Sequence, residues 1–303
     1  CCVCGCSLVP VWPRKALLRR LCAVCRDDSA TRNHSPIPLW WTHATGYVGS
    51  NPYHNALHAA DVTANMDYFL RQPNLHRHLN LLDILAGLIA AMIHDLGHPG
   101  LNNNFLEMTR DELAITYNDV SILENHHLAV AFKLFASPGC DWTPALSDEQ
   151  YKDFRETVIM VVLGSDMRAH FDLLTRFKSK LAGEGFVQHM ERKDLRLLLL
   201  MALHAADICN PTKPRPIALE WCRRSMEEFF NQGDREGELG FPMSPFMDRK
   251  KVPLSSTIIN CQIGLINVLV KPLLQEWCSF LGEAAERDIM VPLSHNAQLW
   301  ETQ

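Results

Sequence analysis

Four segments of the sequence carry histidine and acidic residues at spacings that a helix places on one face. In "YHNALHAAD", His54, His58 and Asp61 stand at i, i+4 and i+7, so a helix would project all three side chains to the same side. Three further segments place the same residue types inside or beside apolar helical patterns. They hold His94, Asp95 and His98 ("HDLGH"), Glu124, His126 and His127 ("LENHH"), and His204 and Asp207 ("LHAAD").

These residue types predict a metal centre. Burying so many ionisable groups among apolar helices is costly unless a cation pairs with them. Imidazole suits zinc, whereas carboxylate oxygen suits magnesium or manganese. Asp95 adjoins His94 and ends an apolar run, which makes it the natural bridge between two metals. Because a two-metal site lowers the pKa of a bridging water and holds the oxygens of an in-line displacement at phosphorus, phosphoester hydrolysis is the predicted reaction class.

The elements that must position these side chains are helices. From about residue 38 onward, nearly every segment places apolar residues three and four apart, and proline and glycine fall mostly between segments. Alternating strand patterns and repeats of fixed period are not found in the sequence. We therefore predict an all-α fold, a compact bundle of many helices. Pro272 lies inside the segment "STIINCQIGLINVLVKPLLQEWCSFL", where it predicts a kink.

Composition and charge narrow the function class. The chain has 303 residues, of which 47% are hydrophobic and 21% charged, as in ordinary soluble proteins. A net charge of −5 gives no reason to expect a nucleic-acid partner. The run "LLDILAGLIAAMIHDL" is too short and too charged to cross a bilayer, so we expect no transmembrane segment. Single cysteines scattered through apolar segments favour a reducing compartment, and a cytoplasmic location is expected.

Taken together, the segments resemble the signature motifs of class I cyclic nucleotide phosphodiesterases. The resemblance runs from about Gly46 to Trp300, and its motifs occur in the family's order. It implies an all-helical catalytic domain over 39–303 that hydrolyses 3′,5′-cyclic nucleotides to 5′-monophosphates, with cyclic AMP, or both cyclic AMP and cyclic GMP, as substrate. The matching motifs are "YHNALHAADV", "HDLGHPGLNNNF", "SILENHH", "LGSDM", "HAADICNPTKP", "EWCRRSMEEFFNQGD" and "CQIGLI".

The resemblance also implies roles for individual residues around the metals. His54 is similar to the general acid that protonates the departing 3′ oxygen while a hydroxide bridging two metals attacks phosphorus. The four residues that look like ligands of a tightly bound zinc are His58, His94, Asp95 and Asp207, and Asp95 also reaches a second metal, magnesium or manganese. The residues that look like partners of metal-bound waters are His98, Asn103, Glu124, His127 and Asp166. His204 is interpreted as structural or as a neighbour of the ligands.

For the nucleotide, Gln262 resembles the family's purine-binding glutamine, and its amide suits adenine and guanine edges alike. Tyr53 and Asn210 are expected beside it. The sequence departs from the family at Leu265, where an aromatic residue normally stacks on the purine, and at Ser225, where an apolar residue closes the other face. These two departures predict weaker base binding without a change in the chemistry. A third departure is Gly97, which stands where the family usually has an acid.

The N-terminal part of the chain is a cysteine-rich segment, 1–25, followed by a polar linker, 26–38. Cys1, Cys4, Cys22 and Cys25 form two C-x2-C pairs, which suit a structural zinc ion. The fragments "CCVCG" and "RRLCAVC" are similar to part of a FYVE zinc finger, which kinetoplastid phosphodiesterases carry. That interpretation implies contact with phosphoinositides or endomembranes through basic residues. The alternative is a degenerate remnant with free thiols.

The start of the sequence has two further features. It begins without methionine or a signal-peptide pattern, as a fragment lacking its targeting signals would. Members of the family have several more helices before the "YHN" motif, so we expect this catalytic domain to lack most of them.

Two alternatives to the phosphodiesterase interpretation stay open from the sequence. One is another nucleotide phosphohydrolase of the His-Asp metal superfamily. The other is a catalytically weak protein that binds cyclic nucleotides or acts as a scaffold, which Leu265, Ser225 and the short N-terminal part would suit.

Overall fold

The computed structural model describes residues 46–138, 140–183, 186, 190–251 and 254–302. Within those residues all regular structure is helical, so the predicted all-α fold is confirmed. The predicted cysteine-rich segment 1–25, the linker 26–38 and the start of the predicted catalytic domain at residue 39 lie outside the described residues, as do the four cysteines predicted to bind zinc.

The described ranges contain thirteen α-helices, joined by short loops and three 3₁₀ turns. The helices are α1 Ala56–Leu70, α2 Pro73–His76, α3 Leu81–Ile93, α4 Asn103–Thr109, α5 Glu112–Tyr117, α6 Ile122–Phe135, α7 Asp148–Leu163, α8 His170–Leu181, α9 Arg192–Ile208, α10 Arg215–Glu238, α11 Leu254–Gly264, α12 Lys271–Leu281 and α13 Glu283–Glu301. The 3₁₀ turns are Thr143–Ala145, Met167–Ala169 and Asn210–Thr212.

Helices α3 and α9 form the centre of the bundle. Almost every residue of α3 is buried, as is the run Leu197–Ala206 of α9, because these stretches consist almost entirely of apolar residues. Helix α3 packs against α1, α7 and α9. Both central helices end next to the histidine and aspartate residues singled out in the sequence, since α3 stops at Ile93 and α9 at Ile208. The core therefore delivers these residues from the carboxyl ends of its two central helices.

The opposite ends of the central helices are fixed by an ion-pair network. Asp83 in the first turn of α3 is fully buried, accepts the backbone N–H of Asn80 at 2.9 Å, and pairs with Arg192 at the start of α9. Arg192 also pairs with Asp153 of α7 at 2.6 Å. A buried carboxylate is tolerated because a guanidinium and a backbone donor both satisfy it. The network fixes the register of three core helices relative to one another.

The helical stretch around Pro272 is irregular. A π-helical segment, Leu265–Val270, separates α11 from α12, and Pro272 lies in the first turn of α12. Proline has no N–H to donate, and its ring clashes with the carbonyl four residues earlier, so the chain widens to the π register before the proline. A further helix that the sequence analysis did not single out, α13, follows α12 and carries Pro292 within it.

The continuous stretch Ser255–Leu281 is long and apolar enough to cross a membrane when judged by length and composition alone. It differs from the run considered in the sequence analysis. Helices in the cores of soluble proteins pass the same test, so this one stretch is weak support for a membrane span.

The loop that follows α10 packs against the helix through a glycine. A Cβ built on Gly233 would lie 2.0 Å from the carbonyl oxygen of Met247. A backbone atom cannot move aside as a flexible side chain would. Glycine at this position therefore allows the 240–250 loop to lie directly on α10.

We expect Gly233→Ala to destabilise the fold by about 2 kcal/mol or more, since the added methyl group forces the Met247 backbone away from α10. Thermal unfolding followed by circular dichroism measures the effect. Gly264→Ala is the matched control, because a Cβ there meets no atom within 4 Å. The control should gain stability, by up to about 1 kcal/mol, because alanine favours the helix. Equal unfolding temperatures for the two variants would contradict the close approach at Gly233.

Candidate metal centre

Three helices bring four predicted ligands together. His58 lies in the first turn of α1, which Asn55 caps by accepting the backbone N–H groups of Leu57 at 2.9 Å and His58 at 3.4 Å. His94 and Asp95 directly follow α3, and Asp207 lies in the last turn of α9.

The four side chains form one cluster whose candidate ligand atoms all lie within 4.8 Å of one another. His58 Nε2 is 3.0 Å from Asp207 Oδ1 and 3.3 Å from Asp95 Oδ2. His94 Nε2 is 3.1 Å from Asp95 Oδ2 and 3.4 Å from Asp207 Oδ1. Two imidazole nitrogens and two carboxylate oxygens therefore converge on one point from different directions.

The hydrogen bonds of the cluster fit a cation better than a proton. His94 Nδ1 donates to the carbonyl of Ala91 at 3.0 Å, so its Nε2 carries a lone pair in the neutral ring. Among the described residues, the buried Nε2 atoms of His58 and His94 have no hydrogen-bond partner of good geometry, although carboxylate oxygens lie near them. Lone pairs and carboxylates aimed at a shared point are the donor set of a divalent metal ion.

The electrostatics of the cluster agree with that fit. Burial lowers the pKa of His58, but the close carboxylates of Asp207 and Asp95 outweigh it and raise that pKa to about 9. Burial raises the pKa of Asp207, yet the close imidazoles of His58 and His94 hold it well below its usual range. Each carboxylate thus attracts positive charge to this point, and a divalent cation supplies it without protonating the imidazoles.

A second group of close polar atoms consists of His54, His98 and Glu228. Glu228 accepts the backbone N–H of Tyr53 at 2.9 Å and that of His54 at 3.0 Å, and its carboxylate also pairs with His54 Nδ1. The rings of His54 and His98 are stacked, with centroids 3.9 Å apart and an angle of 15° between planes. Parallel rings cannot direct in-plane lone pairs at one ion, so this group suits proton transfer and not metal binding.

Glu228 is a site residue that the sequence analysis did not single out. It lies inside the quoted motif "EWCRRSMEEFFNQGD" on α10, where Glu228, Gln232 and Glu236 are all buried. Polar residues at i, i+4 and i+8 on a helix share a face. This spacing could have identified Glu228 from the sequence, because three polar residues on one face of a helix rich in aromatic residues indicate a buried polar stripe.

Other predicted site residues lie near Asp95 but outside the ligand cluster. His127 donates through Nδ1 to the carbonyl of Leu96 at 2.8 Å, and its Nε2 lies 3.8 Å from Asp95 Oδ1. Asn103 donates to Glu124 at 3.1 Å. Burial, followed by the charge of Asp166, raises the pKa of Glu124 to about 7. These groups line the space next to Asp95 with hydrogen-bond acceptors and donors.

Asp166, which the resemblance predicts as a partner of metal-bound water, is buried. Its carboxylate accepts the Ser121 hydroxyl at 2.8 Å and the backbone N–H of Arg168 at 2.9 Å. His98 is held by Asn51, which donates to its carbonyl at 2.8 Å and to the carbonyl of His54 at 3.0 Å. Both residues are therefore fixed by neighbours outside the ligand cluster.

Two expectations based on helical spacing are wrong. Helix α1 begins at Ala56, so His54 precedes it and does not share a helical face with His58. Asp61 pairs with Lys213 at 3.0 Å instead of joining the ligand cluster. His204 is fully buried, and its Nε2 lies 2.9 Å from Nδ1 of His170, which agrees with its interpretation as structural.

A cavity of about 510 Å³ opens beside the ligand cluster. Tyr53 accepts the Asn210 side-chain N–H at 2.5 Å on one wall, and the buried side chain of Gln262 lies on another. The structure thus places all five residues predicted to contact a nucleotide on this cavity. They are Tyr53, Asn210, Ser225, Gln262 and Leu265.

Gly97 adopts a left-handed backbone conformation, with φ of +78°. A Cβ built there would lie 3.1 Å from His126 Nε2. Any side chain at this position would be strained by the backbone and crowded by His126. Glycine fits this turn for that reason, whereas an acid would need the turn to rearrange.

Comparison with known proteins matches residues 53–289 to the family described as 3′5′-cyclic nucleotide phosphodiesterase. A 3′,5′-cyclic-AMP phosphodiesterase, isoform F, of Drosophila melanogaster is 42% identical over 84% of this chain and 39% of its own length. A probable 3′,5′-cyclic-AMP phosphodiesterase of Caenorhabditis elegans is 40% identical over 84% of this chain and 38% of its own length. The chain thus spans well under half the length of these relatives.

Solved structures agree with the sequence relatives. The phosphodiesterase domain of the RhoPDE fusion protein from the choanoflagellate Salpingoeca rosetta is similar with a TM-score of 0.83 and 29% identity, over 95% of this chain and 87% of that domain. A second structure, of the phosphodiesterase domain of the Salpingoeca rosetta rhodopsin phosphodiesterase, gives 0.79 and 31%, over 87% and 78% of the two chains.

We expect Asp207→Asn and His94→Ala each to lower the amount of tightly bound divalent metal, because each removes a ligand from the cluster. Elemental analysis of the purified protein after dialysis measures this. His126→Ala is the control, since His126 belongs to the same histidine-rich motif as His127 and lies outside the cluster. Full metal content in both ligand variants would contradict the assignment of the centre.

Proposed function

Because this chain belongs to the 3′5′-cyclic nucleotide phosphodiesterase family, we propose that it hydrolyses cyclic AMP, and also cyclic GMP, to the 5′-monophosphates. One observation carries the proposal: the four-residue ligand cluster and the His54–Glu228 pair open into the same cavity. A metal-binding centre next to a proton donor is what cleavage of a phosphodiester requires.

We assign His58, His94, Asp95 and Asp207 to a tightly bound zinc ion and Asp95 also to a second ion, magnesium or manganese. Imidazole and carboxylate together suit zinc, and the oxygen-rich side of Asp95 suits the harder ion. When bound, the metals supply charge neutralisation at the phosphate and lower the pKa of water. Glu124, His127 and Asp166 stand on the Asp95 side of the cavity, where they accept or donate hydrogen bonds to the attacking water.

His54 is the proposed general acid. Glu228 accepts the proton on Nδ1 and also accepts the backbone N–H of the same residue at 3.0 Å, so the imidazole ring is oriented with Nε2 as its other nitrogen. The other nitrogen, Nε2, then delivers its proton to the 3′ oxygen as the bond from that oxygen to phosphorus breaks. The water oxygen forms the new bond to phosphorus, and the product keeps its 5′ ester.

The base is held at the other end of the cavity. Gln262 has no side-chain hydrogen bond to any of the described residues, so its amide is free to present either order of donor and acceptor. This supports use of both purines. Leu265 and Ser225 offer small aliphatic and hydroxyl surfaces in place of an aromatic ring and an apolar cover, so the base gains less from stacking.

The direct test is turnover of each cyclic nucleotide by the purified, metal-loaded chain, with the product identified by chromatography. We expect 5′-AMP and 5′-GMP and no 3′-monophosphate. Hydrolysis of other nucleotides with both cyclic ones untouched would favour another phosphohydrolase of the His-Asp superfamily. Binding of cyclic nucleotides without turnover would favour the binding or scaffold alternative.

We expect Glu228→Gln to lower kcat by about 10²-fold, because an amide no longer accepts the Nδ1 proton and both backbone N–H groups in the way that orients His54 as the acid. KM for cyclic AMP and bound metal should stay close to those of the unsubstituted protein. Glu227→Gln is the matched control on the adjacent, solvent-exposed position, where Arg249 is the partner at 3.3 Å. An unchanged kcat in Glu228→Gln would show that His54 does not depend on this carboxylate.

We expect Leu265→Phe to lower KM for cyclic AMP by about tenfold with little change in kcat, since a stacked base gains about 1–3 kcal/mol from an aromatic ring. Steady-state kinetics measure both constants. Val268→Phe, an exposed position in the same π-helical segment, is the control for added bulk. A raised KM in Leu265→Phe would mean that the base does not lie against this residue.

A further inference from the structure

The turn Asn210–Thr212 is held from behind by an asparagine of the C-terminal helix. Asn296 of α13 is buried and donates through its side-chain amide to the carbonyls of Pro211 at 2.7 Å and Lys213 at 2.9 Å. Both amide protons are therefore used, one on each side of the turn. Asn296 lies beyond the residues matched to the phosphodiesterase family, 53–289.

The same turn carries a cavity residue on its other side. Asn210 donates to the Tyr53 hydroxyl at 2.5 Å, which joins the turn to the wall next to His54. The Asn210 side-chain oxygen has no hydrogen-bond partner among the described residues. Asn210 lines the cavity, but this oxygen is covered in the present conformation, so it would accept a donor on the ligand, such as the exocyclic amine of adenine, after a small rotation of the side chain.

A second set of contacts fixes the end of the turn independently. Lys213 Nζ lies 3.0 Å from Asp61 and 2.5 Å from the side-chain oxygen of Asn65, both on α1. Helix α1 thus holds the lysine side chain while α13 holds the backbone around it. The turn also has its own backbone hydrogen bonds, from Thr212 to Cys209 and from Lys213 to Asn210, so the two bonds from Asn296 are what tie its carbonyls to α13.

We propose that Asn296 is a positioning residue for base recognition: its two hydrogen bonds set the Asn210–Thr212 turn so that Asn210 meets the purine. This inference rests on the proposed function, since it assumes a cyclic nucleotide in the cavity. Leucine at position 296 has the same branched shape but no donors, so it would leave the carbonyls of Pro211 and Lys213 without these partners. The turn would relax, and Asn210 would lose its alignment with Tyr53.

The test compares Asn296→Leu with the unsubstituted enzyme in steady-state kinetics with cyclic AMP. We expect KM to rise about tenfold, kcat to change less than twofold and the metal content to stay the same. The matched control is Gln298→Leu, which removes an exposed amide from the same helix and should change neither constant. If Asn296→Leu does not fold by circular dichroism, Asn296→Ser, which is too short to reach both carbonyls, replaces it.

A double-mutant cycle separates positioning from a general structural role. In an Asn210→Ala background, Asn296→Leu should no longer raise KM, because the group that it positions is gone. A KM equal to that of the unsubstituted enzyme in Asn296→Leu would overturn the inference, as would a tenfold rise that persists in the Asn210→Ala background. Absence of turnover by the unsubstituted enzyme would overturn the proposed function instead, so the two failures are distinguishable.

Discussion

Two carboxylates and two imidazoles share one point at the end of an apolar core, and this burial of charge is the constraint on which the rest of the structure depends. Asp95 directly follows α3 and Asp207 lies in the last turn of α9, and burying both carboxylates together is costly without a cationic partner. The pKa of Asp207 is held below its usual range by the histidines around it. Positive charge at this point therefore stabilises the junction of α1, α3 and α9. A divalent metal ion brings two positive charges to the point, whereas a protonated imidazole brings one.

Buried polar groups on α10 connect the loop after that helix to residues near the ligand cluster. On α10, Gln232 accepts the backbone N–H of Asn102 at 2.9 Å and donates to Glu236 at 2.9 Å. Asn102 caps the N-terminus of α4, and Asn103, the first residue of that helix, donates to Glu124. Glu236 in turn accepts the hydroxyl of Ser244 at 2.7 Å. A continuous chain of satisfied polar groups thus runs from the loop after α10 to the wall of the cavity.

The sequence predicted the all-α fold because nearly every segment has apolar residues three and four apart. The resemblance to the phosphodiesterase family also implied which residues meet, since it assigned His58, His94, Asp95 and Asp207, from three of the histidine- and acid-rich segments, to one metal ion. Their spatial convergence depends on long-range packing, which the spacing of one segment cannot report. For the same reason, helical spacing was wrong for His54, which lies before α1, and for Asp61, which pairs with Lys213.

Other features depended on contacts between distant parts of the chain. Glu228 is one of two adjacent glutamates, and only the rotation of α10 decides that it faces His54 while Glu227 faces solvent. The π-helical segment before Pro272 follows from the missing N–H and the bulky ring of proline, which are local effects. Its position directly after the helix that carries Gln262 could not be predicted from them. Asn296 looks like one more polar residue of an amphipathic helix until the turn that it holds is seen.

The most direct measurement is anomalous X-ray scattering at the zinc edge from crystals grown with zinc. The account predicts a peak between the Nε2 atoms of His58 and His94 and the carboxylates of Asp95 and Asp207. A peak between His54, His98 and Glu228, or none near Asp95 in zinc-loaded crystals, would contradict it.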